Sequence, residues 1–209
     1  MSLFAGMPHK REQPRNRKLA LSLGSALILT GAAVIGVYWW NLRDAAQAQQ
    51  RARAWLNRAS VRPAPQVSAP APAVAHSIHY GDPVGELDIP RLHLSIVIFE
   101  GADARILKIG GGHIPETALP PVNGNIGIAA HRDTFFRPLR GIHLNDEITL
   151  RTPAGTSQYR VTQTEIVPPS DVHVLAPAPG RDLTLVTCYP FHYVGNAPQR
   201  FIVHARKTG

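Results

Sequence analysis

The chain has 209 residues, an ordinary apolar share of 44% and one cysteine. That fits one folded domain with an appendage and excludes wholesale disorder, an intrachain disulfide and a cysteine-based metal cluster. The net charge is +8, but residues 1–76 hold ten Lys/Arg against two Asp/Glu while residues 77–209 hold twelve of each. A nucleic-acid-binding domain carries its basic footprint on the folded body, so a neutral body argues against nucleic acid as a partner.

In chain order, residues 1–18 form a basic tail in which Lys10, Arg11, Arg15, Arg17 and Lys18 are opposed by Glu12 alone. Residues 19–40, LALSLGSALILTGAAVIGVYWW, carry no charge. As a helix they span about 33 Å, close to the thickness of a bilayer core. Tyr38, Trp39 and Trp40 stand where an interfacial aromatic belt belongs. The charge asymmetry predicts a single-pass helix in the cytoplasmic membrane, with its N-terminus cytoplasmic and the remainder outside. The run is long for a signal-peptide core and no small-residue cleavage site follows the tryptophans, so the expectation is an uncleaved anchor. Residues 41–60 are rich in helix formers and are expected to extend the helix beyond the membrane. Arg51, Arg53 and Arg58 would then lie at the outer lipid surface or on a solvated face. Residues 61–80 begin with an alternating Pro/Ala stretch that favours polyproline II and reads as a semi-rigid spacer.

Residues 81–209 read as a mainly β domain. Strands are expected over 84–89 and 92–99, broken at Pro90, then over 125–130, 147–151, 158–167, 182–188 and 200–206. A short helix is expected over 103–109, ended by the glycines 110–112, and a helical turn over 134–139. About eight short strands with few helices point to a β-barrel or a sandwich.

The chemistry centres on the lone cysteine. Cys188 closes the strand DLTLVTC and opens a long loop, where rigid scaffolds place reactive groups. A free thiol outside the cytosol is exposed to oxidation, which weighs against a merely structural role. A nucleophilic thiolate needs a proton handler. Of ten histidines, His131 stands out because it ends the apolar strand NIGIAA as Cys188 ends its own. His113, after a glycine triplet, and His192, just beyond Cys188, are the second and third candidates. Acyl chemistry also needs an oxyanion donor, and Arg200 opens the last strand, which a loop returns toward Cys188.

These residues resemble the sortase family. TLVTC (184–188) looks like the TLxTC signature, GNIGIAAHRDTFF carries the histidine, and the arginine sits in APQRFIV. GELDIPRLHLSIVIFEG and GGGHIPETALPPVNGN resemble the opening strands, so the likeness covers about residues 82–206. The TCYPFHYVGNAPQRF segment is most similar to class D sortases and related proteobacterial enzymes; Pro120-Pro121 departs from a usual Pro-Gly. The resemblance implies a closed sortase β-barrel and a cysteine transpeptidase with Cys188, His131 and Arg200 as its catalytic residues. It implies cleavage of an LPxTG-like sorting signal on surface or pilus proteins, and transfer to an amine acceptor. Thr187, Val186, Tyr189 and Ala130 are expected at the substrate. No cofactor or metal ligand set is expected; calcium dependence is left open. A cysteine L,D-transpeptidase lacks its SHGC-type motif here, since His131 precedes Cys188 by 57 residues. A non-catalytic membrane-anchored docking module is the rival from another class.

Overall fold

A computed structural model describes residues 14–61, 78–119, 122–177, 179–193 and 195–208. The first residues of the basic tail, most of the Pro/Ala spacer and Pro120-Pro121 lie outside them. The chain divides into two compact units, 1–43 and 44–209.

The helix α1 (Pro14–Val61) supplies the described part of the first unit. Side chains 21–40 are all exposed, so among the described residues nothing in the unit covers this apolar surface. Two of its hydroxyls are satisfied within the helix: Ser25 Oγ donates to Leu21 O at 3.0 Å and Thr30 Oγ1 donates to Ala26 O at 2.9 Å. The helix is long and apolar enough to cross a membrane.

The second unit is a closed barrel of eight strands: β1 (Pro83–Ile89), β2 (Leu94–Glu100), β3 (Gly111–His113), β4 (Gly124–Ala129), β5 (Glu147–Thr152), β6 (Gly155–Val167), β7 (Arg181–Tyr189) and β8 (Gln199–Lys207). Around the barrel the order is β1-β2-β3-β4-β7-β8-β6-β5. The pairs β2·β3 and β4·β7 are parallel; the others are antiparallel. Inward-pointing Leu87, Ile96, Ile128, Leu150, Leu185 and Val203 fill the interior, joined by Phe136 and Leu139 from the segment after β4. Pro90 breaks the first hairpin with a 3₁₀ turn at Pro90–Leu92, because proline cannot donate to the ladder. Asp103 caps α2 (Ala104–Ile109) by accepting from Arg105 N and Ile106 N.

Two expectations need correction. The glycine triplet does more than end α2, since Gly111 and Gly112 form β3. A Cβ on Gly111 would stand 2.6 Å from Ile98 Cδ1, and one on Gly112 would stand 2.3 Å from Gly101 O. Only glycine lets this strand lie so close to β2. Residues 44–61 are also not simply a solvated or lipid-facing helix, for they pack on the outer face of β2. Ala52 and Leu56 form a second apolar cluster with Val97, Phe99 and Ile106. The buried Gln49 amide acts as a substitute strand neighbour: its Oε1 accepts from Val97 N at 2.7 Å, and its Nε2 donates to Ile109 O at 2.8 Å. Arg53 Nε donates to Glu86 Oε1 at 2.7 Å and Arg151 Nη2 donates to Glu86 Oε2 at 2.9 Å, tying α1 to β1 and β5.

Candidate active site

The site is built on the outside of the barrel. Leu183, Leu185 and Thr187 of β7 are buried toward the interior, so alternation turns Thr184, Val186 and Cys188 outward. The β7·β8 register sets Cys188 directly opposite Arg200. Opposed residues on one face have Cβ atoms about 4.5–5.5 Å apart, so the thiol and the guanidinium stem are cross-strand neighbours. On the other side β4 runs parallel to β7, in register to Ala129 beside Val186, and Ala130 N donates to Val186 O at 3.2 Å. One further step brings His131 alongside Cys188. Cys188, His131 and Arg200, all half-buried, line one open cleft of about 320 Å³ with Arg132, Asp133 and residues 195–197. The Arg200 Nη1 donates to Gln199 O at 3.0 Å and to Ala197 O at 3.3 Å, holding the side chain against its own loop.

Buried polar groups brace this outer face. Thr187 Oγ1 donates to Ala130 O at 2.7 Å, fixing the carbonyl that precedes His131. Thr184 Oγ1 donates to Asn125 Oδ1 at 2.8 Å, and Asn125 Nδ2 donates to Val174 O at 3.2 Å. His204 joins Thr184 to Glu165, whose Oε1 lies 2.7 Å from His204 Nε2. The segment after β6 is thereby held over β4 and β7. Gly127 permits the approach, because a Cβ there would stand 3.0 Å from Leu175 Cδ2. The loop between β7 and β8, which lines the cleft through residues 195–197, is held by Arg132, whose Nη2 donates to Tyr193 O at 2.6 Å and Gly195 O at 3.1 Å. Tyr189, Phe191 and Phe201 pack together at the root of that loop, with ring centroids 5.4–6.4 Å apart.

The remaining candidates fall elsewhere. Thr187 and Ala130 are 2% and 4% exposed, which puts them beneath the cleft rather than on its surface. Val186 is half-buried on the outer face, two residues from Cys188, and the half-buried Tyr189 belongs to the aromatic cluster. His113 is buried inside β3, with Nδ1 2.8 Å from Glu100 Oε2 and Nε2 3.0 Å from Thr117 Oγ1; both ring nitrogens are committed to holding the fold. His192 is exposed and lines a neighbouring concavity with Arg137 and Arg140. Among the described residues no three His, Cys, Asp or Glu side chains converge on a point where a metal ion could sit. Sequence reasoning passed over Asn125, Thr184 and Arg132. The signal for the first two is a polar residue at an outward position of an apolar strand; for Arg132, it is adjacency to His131.

The family model of the sortase domain matches residues 87–208. The chain belongs to the sortase family. It is 37% identical over 129 residues to Sortase D of Bacillus subtilis, covering 61% of this chain and 65% of that protein, so it spans somewhat under two thirds of that relative's length. Among solved structures it resembles a Clostridium perfringens Sortase D5 transpeptidase, with a TM-score of 0.58, 32% identity, and coverage of 63% of this chain and 82% of the other. It also resembles a Clostridium perfringens sortase C with the C-terminal cell wall sorting motif, with a TM-score of 0.58, 28% identity, and coverage of 64% and 74%. The sortase barrel here is therefore the eight-strand domain, with residues 44–61 as an added helical layer.

Proposed function

We propose that this sortase is a membrane-anchored cysteine transpeptidase that cleaves an LPxTG-like sorting signal after its threonine and transfers the acyl group to an amine. The observation that carries the reading is the convergence of Cys188, His131 and Arg200, from three different strand ends, on one open cleft. The Cys188 thiolate attacks the threonine carbonyl carbon. Arg200 donates to the oxygen as it becomes an oxyanion, and the imidazolium of His131 gives its proton to the departing amine as the C–N bond breaks. The product is a thioester on Cys188. The incoming amine then gives a proton to the now neutral His131, attacks the thioester and expels the thiolate. Each proton-transfer or oxyanion contribution is typically worth roughly 10²–10⁴ in rate, and the thioester splits one difficult exchange into two easier ones.

The exposed apolar helix supports anchoring, and the basic residues before it support a cytoplasmic N-terminus. Surface or pilus proteins held in the same membrane would meet the enzyme at raised effective concentration. The test uses the detergent-solubilised full chain, a sorting-signal peptide and an amine. Mass spectrometry should find a thioester on Cys188 and a joined product. Cys188→Ala should give neither while keeping its thermal unfolding transition. Arg200→Lys should lose about 10² in turnover, because lysine cannot reproduce a planar donor fork. Joined product from the Cys188 variant at the wild-type rate would end the proposal.

A further inference from the structure

Beyond Arg132 the catalytic cleft continues into a second concavity of about 470 Å³. Its polar lining is cationic: Arg132, Arg137 and Arg140, with the His192 ring beside them; Asp133 is its one carboxylate. Elsewhere on the barrel, arginines are matched to carboxylates: Arg91 to Asp146, Arg105 to Asp103, Arg151 to Glu86 and Asp88, Arg160 to Glu147, and Arg206 to Asp182. Among the described barrel residues, the arginines without a carboxylate partner are Arg132, Arg137, Arg140 and Arg200, and all four line the cleft or its extension. Residues 77–209, with zero net charge, thus gather the unmatched guanidinium groups of their described side chains at one place.

The backbone aims two of them together. Arg137 and Arg140 are three residues apart in the 3₁₀ turn Arg137–Gly141, where side chains at i and i+3 eclipse. Phe136 and Leu139, both 0% exposed, root that turn in the barrel interior. Phe136 N donates to His131 O at 3.0 Å, coupling the turn to the histidine. A concave wall of one sign concentrates the field on an incoming anion, and guanidinium forks match the oxygens of carboxylate and phosphate.

We infer that this extension binds an anionic oxygen group carried by the amine acceptor, with Arg137 and Arg140 as its specificity-determining residues. The inference rests on the transpeptidase reading and names the acceptor's chemistry. The location supports it: the extension shares Arg132, Asp133 and Gly195 with the cleft and begins one residue past His131, which must take the proton from the incoming amine.

The experiment measures acceptor KM and kcat for the full chain in detergent, with one sorting-signal peptide and two matched pairs of amines. Nα-acetyl-lysine against Nα-acetyl-lysinamide reads a carboxylate; 6-aminohexyl phosphate against 6-aminohexanol reads a phosphate. The wild type should show a KM at least tenfold lower for the charged member of one or both pairs, narrowing as salt rises. Preference in one pair names that source; preference in both supports an anion site that does not separate them. In Arg137→Gln/Arg140→Gln the charged-to-neutral ratio should collapse toward one through KM, while Arg160→Ala keeps it. Equal KM within both pairs for the wild type would overturn the inference, even with acyl-enzyme detected on Cys188. Failure to form the acyl-enzyme would instead count against the transpeptidase reading. The anion site is then judged by titrating each charged amine while following the His192 ring by NMR. Shifts weakened by the double variant support it, and no shift in the wild type overturns it.

Discussion

Thr187→Val removes one oxygen from beneath the cleft and little else. Thr187 is 2% exposed and its hydroxyl donates to Ala130 O at 2.7 Å. Ala130 is thus held from both sides, its N–H on Val186 O and its carbonyl under Thr187, and the next residue is His131. Valine keeps the shape, so the cost is that of a buried carbonyl left without its donor, about 1–3 kcal/mol. For a body of this size each kcal/mol moves Tm by about 2–4 °C, so the transition should fall by roughly 2–12 °C. The functional effect is separate. Loss of the anchor frees the peptide plane that aims the imidazole, and a displacement of about 1 Å at a reacting group costs on the order of 10² in rate.

The assay pairs thermal unfolding by circular dichroism with pre-steady-state acyl-enzyme formation and transfer. Thr187→Ser, which keeps the hydroxyl, serves as the rescue, and thiol-labelling rate reports on Cys188 itself. The expected pattern is a lower Tm, a kcat reduced by one to two orders of magnitude, near-normal labelling of Cys188, and recovery of both defects by serine. An unchanged Tm would sink the energetic argument for the buried bond. A lowered Tm with kcat within twofold of wild type would show that the hydroxyl holds the barrel but does not aim the histidine.

Leu56→Ala empties part of the seam between α1 and β2, where Leu56 is 6% exposed against Val97 and Phe99. It should cost about 2–3 kcal/mol and raise amide exchange at Val97, measured by hydrogen exchange; no change at either would mean the helix contributes nothing to the barrel. Acid stability tests the charge cluster on the same side. Burial pushes the Glu86 carboxyl up, but hydrogen bonds from Arg151, Arg53 and Ser95 outweigh it and hold the group below the ordinary carboxylate range. The Arg91 guanidinium holds Asp146 down against its own burial. A carboxyl with a lowered folded-state pKa adds stability that is complete above its unfolded value, about 4, and is lost as pH falls through the folded value. Unfolding free energy should therefore be flat near neutrality and decline below about pH 4. Glu86→Gln should lower the plateau and flatten the decline; an unchanged acid slope would exclude Glu86 as a source.

Much of the barrel was legible because its strands obey period two between Gly/Pro breaks. The apolar run Ile96–Val97–Ile98–Phe99 held more than it first yielded. Four apolar residues in succession mark a strand buried on both faces, and the second cover is α1. The covering stripe itself, Gln49, Ala52 and Leu56, is hard to see from sequence because it contains one large apolar residue and works partly through a side-chain amide that completes the sheet. Cys188, His131 and Arg200 were legible as strand ends. The braces behind them were not, since Thr184 and Asn125 acquire meaning only when β4 and β7 become neighbours from distant parts of the chain. The match between Arg137 and Arg140 depends on a 3₁₀ period in a segment read only as a helical turn.

The parallel pairing of β4 with β7 decides where the chemistry can occur. His131 follows the end of β4 and Cys188 lies near the end of β7, so a parallel pair brings both to the same end of the barrel; an antiparallel pair would have set them a strand length apart. The antiparallel β8 then begins where β7 ends, which delivers Arg200 opposite Cys188. Strand β6 finishes at that end too, with Val167 opposite Arg200, yet the chain must next reach the far end to start β7 at Arg181. Its only route is along the outside of the barrel. The segment that makes this return is the one whose Val174 carbonyl is held by Asn125, so the connection that parallel strands require packs back over β4 and β7. Topology thus brings Cys188, His131 and Arg200 to one end of the barrel in a single step, while the loops at that end, carrying Arg132, Arg137, Arg140 and His192, line the concavity beside them.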